Sequence, residues 1–191
     1  MVEHNIKRYV RAIVFTFLII LIALYFIDIL LFNDFLDEWG IVSTSVTITT
    51  LLVIFFVTFA WRWRLFHGWL VPFPNLNGKW VGKLKSSYRG TLISRKVEVQ
   101  IKQTFLYVVV SFTSKESKSN NFCASFNIDK NRNIKQLIYS YFNEPDSNIR
   151  DRSPLHYGTT KFDISEDNMS MSGEYWTTRC THGSIKLDRI K

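Results

Sequence analysis

The chain has 191 residues, 47% of them apolar, and 24 basic against 16 acidic groups give it a formal net charge of +8. That composition excludes a disordered chain, and a cysteine content of only Cys123 and Cys180 excludes a disulfide scaffold. The charge is uneven: residues 1–74 balance five basic groups with five acidic ones, so the whole excess falls on residues 75–191.

Two apolar runs come first. Residues 12–32 contain one charge, Asp28, and residues 41–61 contain none. Each is long enough for a helix to cross a bilayer core. Lys7, Arg8 and Arg11 precede the first run, and Arg62 and Arg64 follow the second. The connection between them carries Asp34, Asp37 and Glu38 and no basic residue. The positive-inside rule then predicts a two-pass protein with both termini in the cytosol. A cleaved signal peptide is the rival reading of the first run. Its length, the lack of an A-x-A-like site and the second run directly behind it argue against cleavage.

Asp28 lies about a turn from the outer end of its run and is expected to reach the interface, an ion or proton site being the alternative. Ser43, Thr47 and Thr50 share one face of the second helix, suited to close packing on the first span or on another copy. Trp61, Trp63, Phe66 and Trp69 then interleave with Arg62, Arg64 and His67 as an interfacial belt. Pro72 and Pro74 end any helix. The predicted division is therefore a transmembrane hairpin with its linker at 1–74 and a cytosolic domain at 75–191.

From Gly78 onward the pattern is short alternating runs between turn residues. Eight fall at about 79–88, 96–104, 106–113, 121–129, 135–143, 156–165, 168–178 and 183–190. The predicted fold is a membrane-anchored all-β domain: two transmembrane helices, then a small eight-stranded antiparallel up-and-down β-barrel, with a sandwich as the alternative. A barrel of this size can hold one small ligand. Parity assigns the inward side chains. They are Trp80, Gly82, Leu84, Ser86 and Tyr88; Val97, Val99, Ile101 and Gln103; Phe122, Ala124, Phe126 and Ile128; Leu137, Tyr139, Tyr141 and Asn143; His156, Gly158, Thr160, Phe162 and Ile164; Met169, Met171, Gly173, Tyr175, Thr177 and Arg179; and Ile185 and Leu187. The third strand is apolar on both faces, which leaves its parity open.

Up-and-down connectivity sorts these residues by height. The inward polar groups gather at one rim: Ser86, Tyr88, Tyr141, Asn143, His156, Thr160, Tyr175, Thr177 and Arg179. Gln103 alone falls at the other rim, among Trp80, Ile101, Phe126, Phe162, Met171 and Leu187. The barrel is thus expected to be plugged where the linker enters and polar at the far mouth. A β-bulge would reverse the parity of whatever follows it.

Arg179 offers a forked cation for phosphate or carboxylate. Tyr88, Tyr141 and Tyr175 offer faces on which a base stacks, and Asn143 can read a donor–acceptor pair. The basic domain attracts anions. A nucleotide-like anion fits such a mouth better than a fatty acid does. Anionic lipid surfaces also suit the outward lysines Lys83, Lys85, Lys102 and Lys161. The sequence has no G-x-x-x-x-G-K-[ST], H-E-x-x-H or G-x-S-x-G motif. The four histidines are dispersed, and a pair of His156 with Asp151 or Asp163 has no nucleophile. No catalytic residue, metal site or cofactor is expected.

The plan of two spans and a strand-rich domain resembles the two-transmembrane β-barrel effectors of bacterial CBASS anti-phage systems. Local motifs carry the resemblance: Leu76-x-Gly78-x-Trp80-x-Gly82, Tyr141-x-Asn143-x-Pro145, His156-x-Gly158, and Gly173-x-Tyr175 followed by Arg179 and Gly183. The resemblance implies a barrel that binds a cyclic oligonucleotide, most simply a cyclic dinucleotide, supplied by a partner nucleotidyltransferase. It further implies a homo-oligomer on activation and transmembrane helices that act on membrane lipids and disrupt the inner membrane, causing abortive infection. Tyr141, Asn143, His156, Tyr175 and Arg179 are where the resemblance and the rim coincide. Ser86, Tyr88, Thr160 and Thr177 complete the candidate site. Trp80, Gly78 and Gly82 read as structural, and the loop from Glu144 to Leu155, with Arg150, Asp151 and Arg152, as a candidate lid. The alternative function is a constitutive membrane-tethered barrel that holds a lipid or another small anion.

Overall fold

A computed structural model describes residues 2–32, 37–88, 91–114, 117–149 and 154–190. Its contacts divide the chain into two units, Met1–Pro72 and Phe73–Lys191.

The first unit holds α1 (Val2–Ile27), continued by a π-helical segment at Asp28–Phe32, and α2 (Glu38–Thr58). Both are long and apolar enough to cross a membrane. The Asp37 carboxylate caps α2, accepting from Gly40 N at 2.8 Å. The hydroxyls inside α2 bond back to carbonyls one turn earlier: Ser45 to Ile41 and Thr49 to Ser45 at 2.7 Å, Thr47 to Ser43 at 2.9 Å and Thr50 to Val46 at 2.8 Å. That closes their polar groups within the helix, as an apolar surround requires.

One expectation is corrected here, and one is narrowed. Asp28 does not reach outward; it is 3% exposed. The hydroxyl face turned inward is Ile41–Ser45–Thr49, one residue per turn, while Ser43, Thr47 and Thr50 stay exposed. A face centred on 45 and 49 is rotated by about half a turn from one centred on 43, 47 and 50, so of the two partners expected for the latter, packing within the hairpin is excluded and another copy remains.

The second unit is a closed barrel in the order β1-β2-β3-β4-β5-β6-β7-β8. Its strands are β1 (Gly78–Tyr88), β2 (Thr91–Gln103), β3 (Val108–Thr113), β4 (Ser117–Asp129), β5 (Ile134–Pro145), β6 (His156–Ile164), β7 (Ser170–Thr177) and β8 (His182–Arg189). Every neighbour is antiparallel, and β1 pairs with β8 to close the ring. The up-and-down barrel read from the sequence is the fold.

The alternation also holds within strands. Trp80, Val97, Val99, Ile101, Leu137, Phe162, Met171 and Leu187 are buried, while Lys83, Lys85, Lys102 and Lys161 are exposed. The ambiguous third strand turns Val110 inward and Val109 outward.

The entering chain plugs one end. Leu76 is fully buried, and its carbonyl accepts from Trp80 Nε1 at 3.0 Å. The Arg189 guanidinium lies over the Trp80 ring, 5.7 Å from its centroid. Gln103, the lone polar group expected at this rim, is the latch. Its Nε2 donates to Pro74 O at 2.9 Å, and its Oε1 accepts from Leu76 N at 2.8 Å. The Asn77 side chain completes the clasp on the Gln103 backbone, donating to its carbonyl at 2.9 Å and accepting its N–H at 2.7 Å. Gly78 sits at φ +135°, a conformation that only glycine adopts without strain.

One strand departs from simple alternation. The β4–β5 register slips between Asn121 and Cys123, leaving Phe122 as the extra residue of a bulge. Phe122, expected inside, is therefore 66% exposed. Ala124 and Phe126 keep the predicted side, but above the bulge the inward residues become Asn121 and Ser119. The Asn121 amide bonds the β3 backbone on both sides, accepting from Val110 N at 2.7 Å and donating to Val108 O at 3.0 Å.

Candidate functional site

The polar rim is built in layers read from the strand registers. Highest are Ser119, Asn143 and His156, cross-strand neighbours on β4, β5 and β6. Below them run Asn121, Tyr141, Gly158 and Thr177. Next come Ala124, Tyr139, Thr160, Tyr175, Gly183 and Ser86. Beneath that layer the interior is apolar, with Phe126, Leu137, Phe162 and Ile185.

Two glycines set the tyrosine geometry. Tyr141 pairs with Gly158, and a Cβ at Gly158 would run into the Tyr141 ring. Tyr175 pairs with Gly183, where a Cβ would stand 2.7 Å from the ring. Each phenol thus lies across the neighbouring strand instead of rising from its own. Tyr175 crosses Gly183 to hydrogen-bond Ser86 on β1, and Tyr139 hydrogen-bonds Thr160 on β6. Burial pushes all three phenols up, Tyr139 to about 12, with Tyr141 raised further by its tyrosine neighbours. They remain neutral hydroxyls, able to donate, throughout the physiological range.

Arg179 sits on the β7–β8 turn, which is braced at several points. Thr177 Oγ1 lies 2.6 Å from Thr181 Oγ1 and accepts from Arg179 N at 3.3 Å. Thr178 N donates to Tyr157 O at 3.0 Å, tying the turn to β6. Thr177 is therefore spent on holding the turn that carries Arg179. Thr160, the cross-strand partner of Tyr139, is 1% exposed and forms part of the floor.

His156 Nδ1 lies 2.9 Å from Pro154 O, which assigns that nitrogen the proton and leaves Nε2 as the titrating atom. Desolvation holds the imidazole below its ordinary pKa; the Pro154 bond opposes this, and the Arg179 charge lowers it further. The unfolded chain therefore takes up this proton first. The barrel is expected to lose stability as pH falls below about 6.5. Unfolding at stepped pH checks this, and His156→Gln removes that part of the slope.

The structure brings Tyr141, Asn143, His156, Tyr175, Arg179, Ser86, Thr160 and Thr177 to one end. Tyr88 ends β1 there, but its side chain lies outside the described residues, as do Arg150, Asp151 and Arg152 of the lid segment. Sequence reading missed two rim groups, Ser119 and Asn121, and one arginine near the rim, Arg95. Arg95 precedes the predicted start of the second strand at 96; its backbone lies one layer lower, opposite Leu84, it shares the parity of Val97 and Val99, and it acts electrostatically on Tyr175. Extending the alternation two residues back would have found it. Ser119 precedes the predicted start of the fourth strand at 121, and Asn121 was hidden by the bulge, which no residue pattern announced.

The chain is thus a barrel plugged at one end, with neutral phenols, an imidazole, an amide and a guanidinium suited to a small polar ligand at the other, preceded by two apolar helices. The profile of the Cap15 cyclic dinucleotide receptor domain matches residues 71–189, and the chain belongs to that family. It is 33% identical over 151 residues to a CD-NTase-associated protein 15 of Staphylococcus schleiferi, covering 79% of this chain and 80% of the relative. It is 28% identical over 173 residues to the protein of the same name from Escherichia albertii, covering 84% and 87%.

Proposed function

We propose that this chain is a CBASS effector whose barrel takes a cyclic dinucleotide at the polar rim and relays its arrival to the membrane helices. The observation that carries this reading is the gathering of Tyr141, Asn143, His156, Tyr175 and Arg179 at one end of the barrel, where Arg179 acts electrostatically on His156 and Arg95 on Tyr175. A cyclic dinucleotide carries two phosphodiesters and two bases. Two guanidinia suit the phosphates, Tyr141 and Tyr175 suit the bases, and Asn143 suits a base edge. The site residues remain Tyr141, Asn143, His156, Tyr175 and Arg179, backed by Ser86, Thr160 and Thr177, with Arg95, Ser119 and Asn121 added.

The output is conformational, not catalytic. A ligand drives assembly only if it binds the assembled form more tightly. In this reading the barrel faces the cytosol, the two helices cross the inner membrane, and assembly lets them breach the bilayer. The exposed Ser43–Thr47–Thr50 face is the surface available for helix contacts between copies. A neighbouring nucleotidyltransferase supplies the signal.

The test is a thermal-shift titration of the full chain in detergent against cyclic di- and trinucleotides. A ligand present at a hundred times its Kd adds about 2.7 kcal/mol, which raises Tm by several degrees. A bound phosphodiester also draws a proton onto His156 Nε2. Affinity is therefore expected to rise as pH falls from about 7.5 to 5.5, by no more than about tenfold per unit. Saturable stabilisation by one member supports the receptor reading. A folded chain that responds to none, but is stabilised by lipid or simple anions, favours the tether.

A further inference from the structure

The first unit contains a groove that the nucleotide reading does not use. It opens between the amino-terminal third of α1 and the segment that follows α2, with a volume of about 870 Å³. One wall is the α1 face bearing Arg8, Arg11, Val14, Phe15 and Leu18; the other includes Trp69. Gly68 makes that second wall possible. Its φ of +95° turns the chain, and Gly68 N donates to Val71 O at 3.0 Å.

The order of side chains along α1 is the informative feature. Residues 8, 11, 15 and 18 fall on one helical stripe. The stripe begins with two guanidinia and continues as hydrocarbon. Phe15 is 67% exposed and Leu18 45% exposed in the single chain. From Arg8 to Leu18 the rise is about 15 Å, the length of a substantial part of one acyl chain. Arg8 is held at the neck of the groove by a 2.6 Å hydrogen bond from its Nη1 to Trp69 O. A guanidinium has five N–H donors, so this anchor sets its position and leaves others for an anion. Trp69 is 56% exposed, and its Nε1 donates to Leu65 O at 2.8 Å, which fixes the ring at the polar end of the apolar wall. An aromatic at that depth is what a headgroup boundary selects.

We propose that this groove is a binding site for an anionic phospholipid of the leaflet that faces the amino terminus. Its phosphodiester sits on Arg8 and Arg11, and one acyl chain runs along Val14, Phe15 and Leu18. The charge is complementary, and the sequence of cation, aromatic and hydrocarbon matches a phospholipid read from head to tail. The proposal rests on reading α1 as a membrane span and is independent of the nucleotide.

Native mass spectrometry of the full chain, released from mixed phosphatidylglycerol–phosphatidylethanolamine vesicles, tests it. The expected result is preferential retention of phosphatidylglycerol, reduced about tenfold in the Arg8→Gln/Arg11→Gln double variant. Arg62→Gln/Arg64→Gln removes the same charge outside the groove and is expected to leave retention unchanged. Val14→Trp keeps both arginines but fills the groove, and is expected to lower retention as well. Equal loss in the two charge pairs would reduce the site to general attraction and overturn the proposal. So would retention untouched by every variant, or a lipid-free dimer cross-linked through Phe15. Alkaline carbonate extraction of each variant reports membrane insertion; a wild-type chain released by it would overturn the span reading and the proposal together. No nucleotide enters the assay, so its failure leaves the receptor reading standing.

Discussion

Arg179→Ala is expected to weaken cyclic dinucleotide binding by about 30- to 150-fold, the loss of roughly 2–3 kcal/mol that a charge-assisted hydrogen bond to phosphate provides. Unfolding of the apo variant, measured alongside, separates the loss of binding from any loss of fold. The turn that carries Arg179 is braced by the bonds of Thr177, Thr181 and Thr178. Arg179→Lys is expected to recover only part of the loss, because an ammonium cannot fork onto two phosphate oxygens. Arg95→Ala belongs in the same titration. Similar losses in both single variants fit one phosphate per arginine, whereas full affinity in Arg95→Ala leaves Arg179 as the main anchor. Full affinity in both would overturn the rim as the site.

The largest stability effect is expected at the opposite end. Trp80→Ala removes a fully buried indole, its bond to Leu76 O and the surface under Arg189. Large aromatic truncations in cores cost about 3–5 kcal/mol, much of what a small domain has in total. Denaturant unfolding measures the loss. Trp176→Ala is the matched control, since Trp176 is 49% exposed on the outer wall and is expected to cost about 0.5 kcal/mol or less. Equal effects in the two variants would mean that the plug does not hold the barrel together.

The legible parts of this molecule are those ruled by period. Alternation in β1, β2 and β5 to β8 placed Trp80, Ile101, Tyr139, Phe162, Met171 and Leu187 inside, where the structure has them. It also gathered Tyr141, Asn143, His156 and Tyr175 at one end, because a strand has only two faces and an antiparallel barrel only two rims. What escaped was local. A single inserted residue turned Phe122 out and brought Asn121 in, an exchange that depends on how β4 meets β5 and not on either residue's character. Asp28 and the Ser45–Thr49 face escaped for a related reason. In an all-apolar helix the period is nearly silent, so side chains sort by partner geometry. Gln103 was the opposite case: its position was read correctly, and only the partners Pro74 and Leu76 reveal why a polar group belongs there.

The side-chain clasp of Asn121 on β3 bears on how the barrel comes apart. Among the described residues the β3–β4 ladder pairs Ser111, Phe112 and Thr113 with Asn120, Ser119 and Lys118 and ends in the Ser114 N–Ser117 O bond of 2.9 Å, whereas β1 pairs with β2 from Gly78 to Tyr88. Below Asn121, Phe73 of the entering chain stacks on Phe126, with ring centroids 5.5 Å apart and planes 8° apart. Below Ser111, the amide and the ring pair thus stand where the other seams continue with backbone bonds. Amide exchange with solvent is expected to begin here, with β3 and β4 losing protection at lower free energy than β1 or β8. Asn121 also lines the rim, so a molecule seated there would tighten the joint that opens first, and occupancy would be recorded as slower exchange in strands that carry neither arginine.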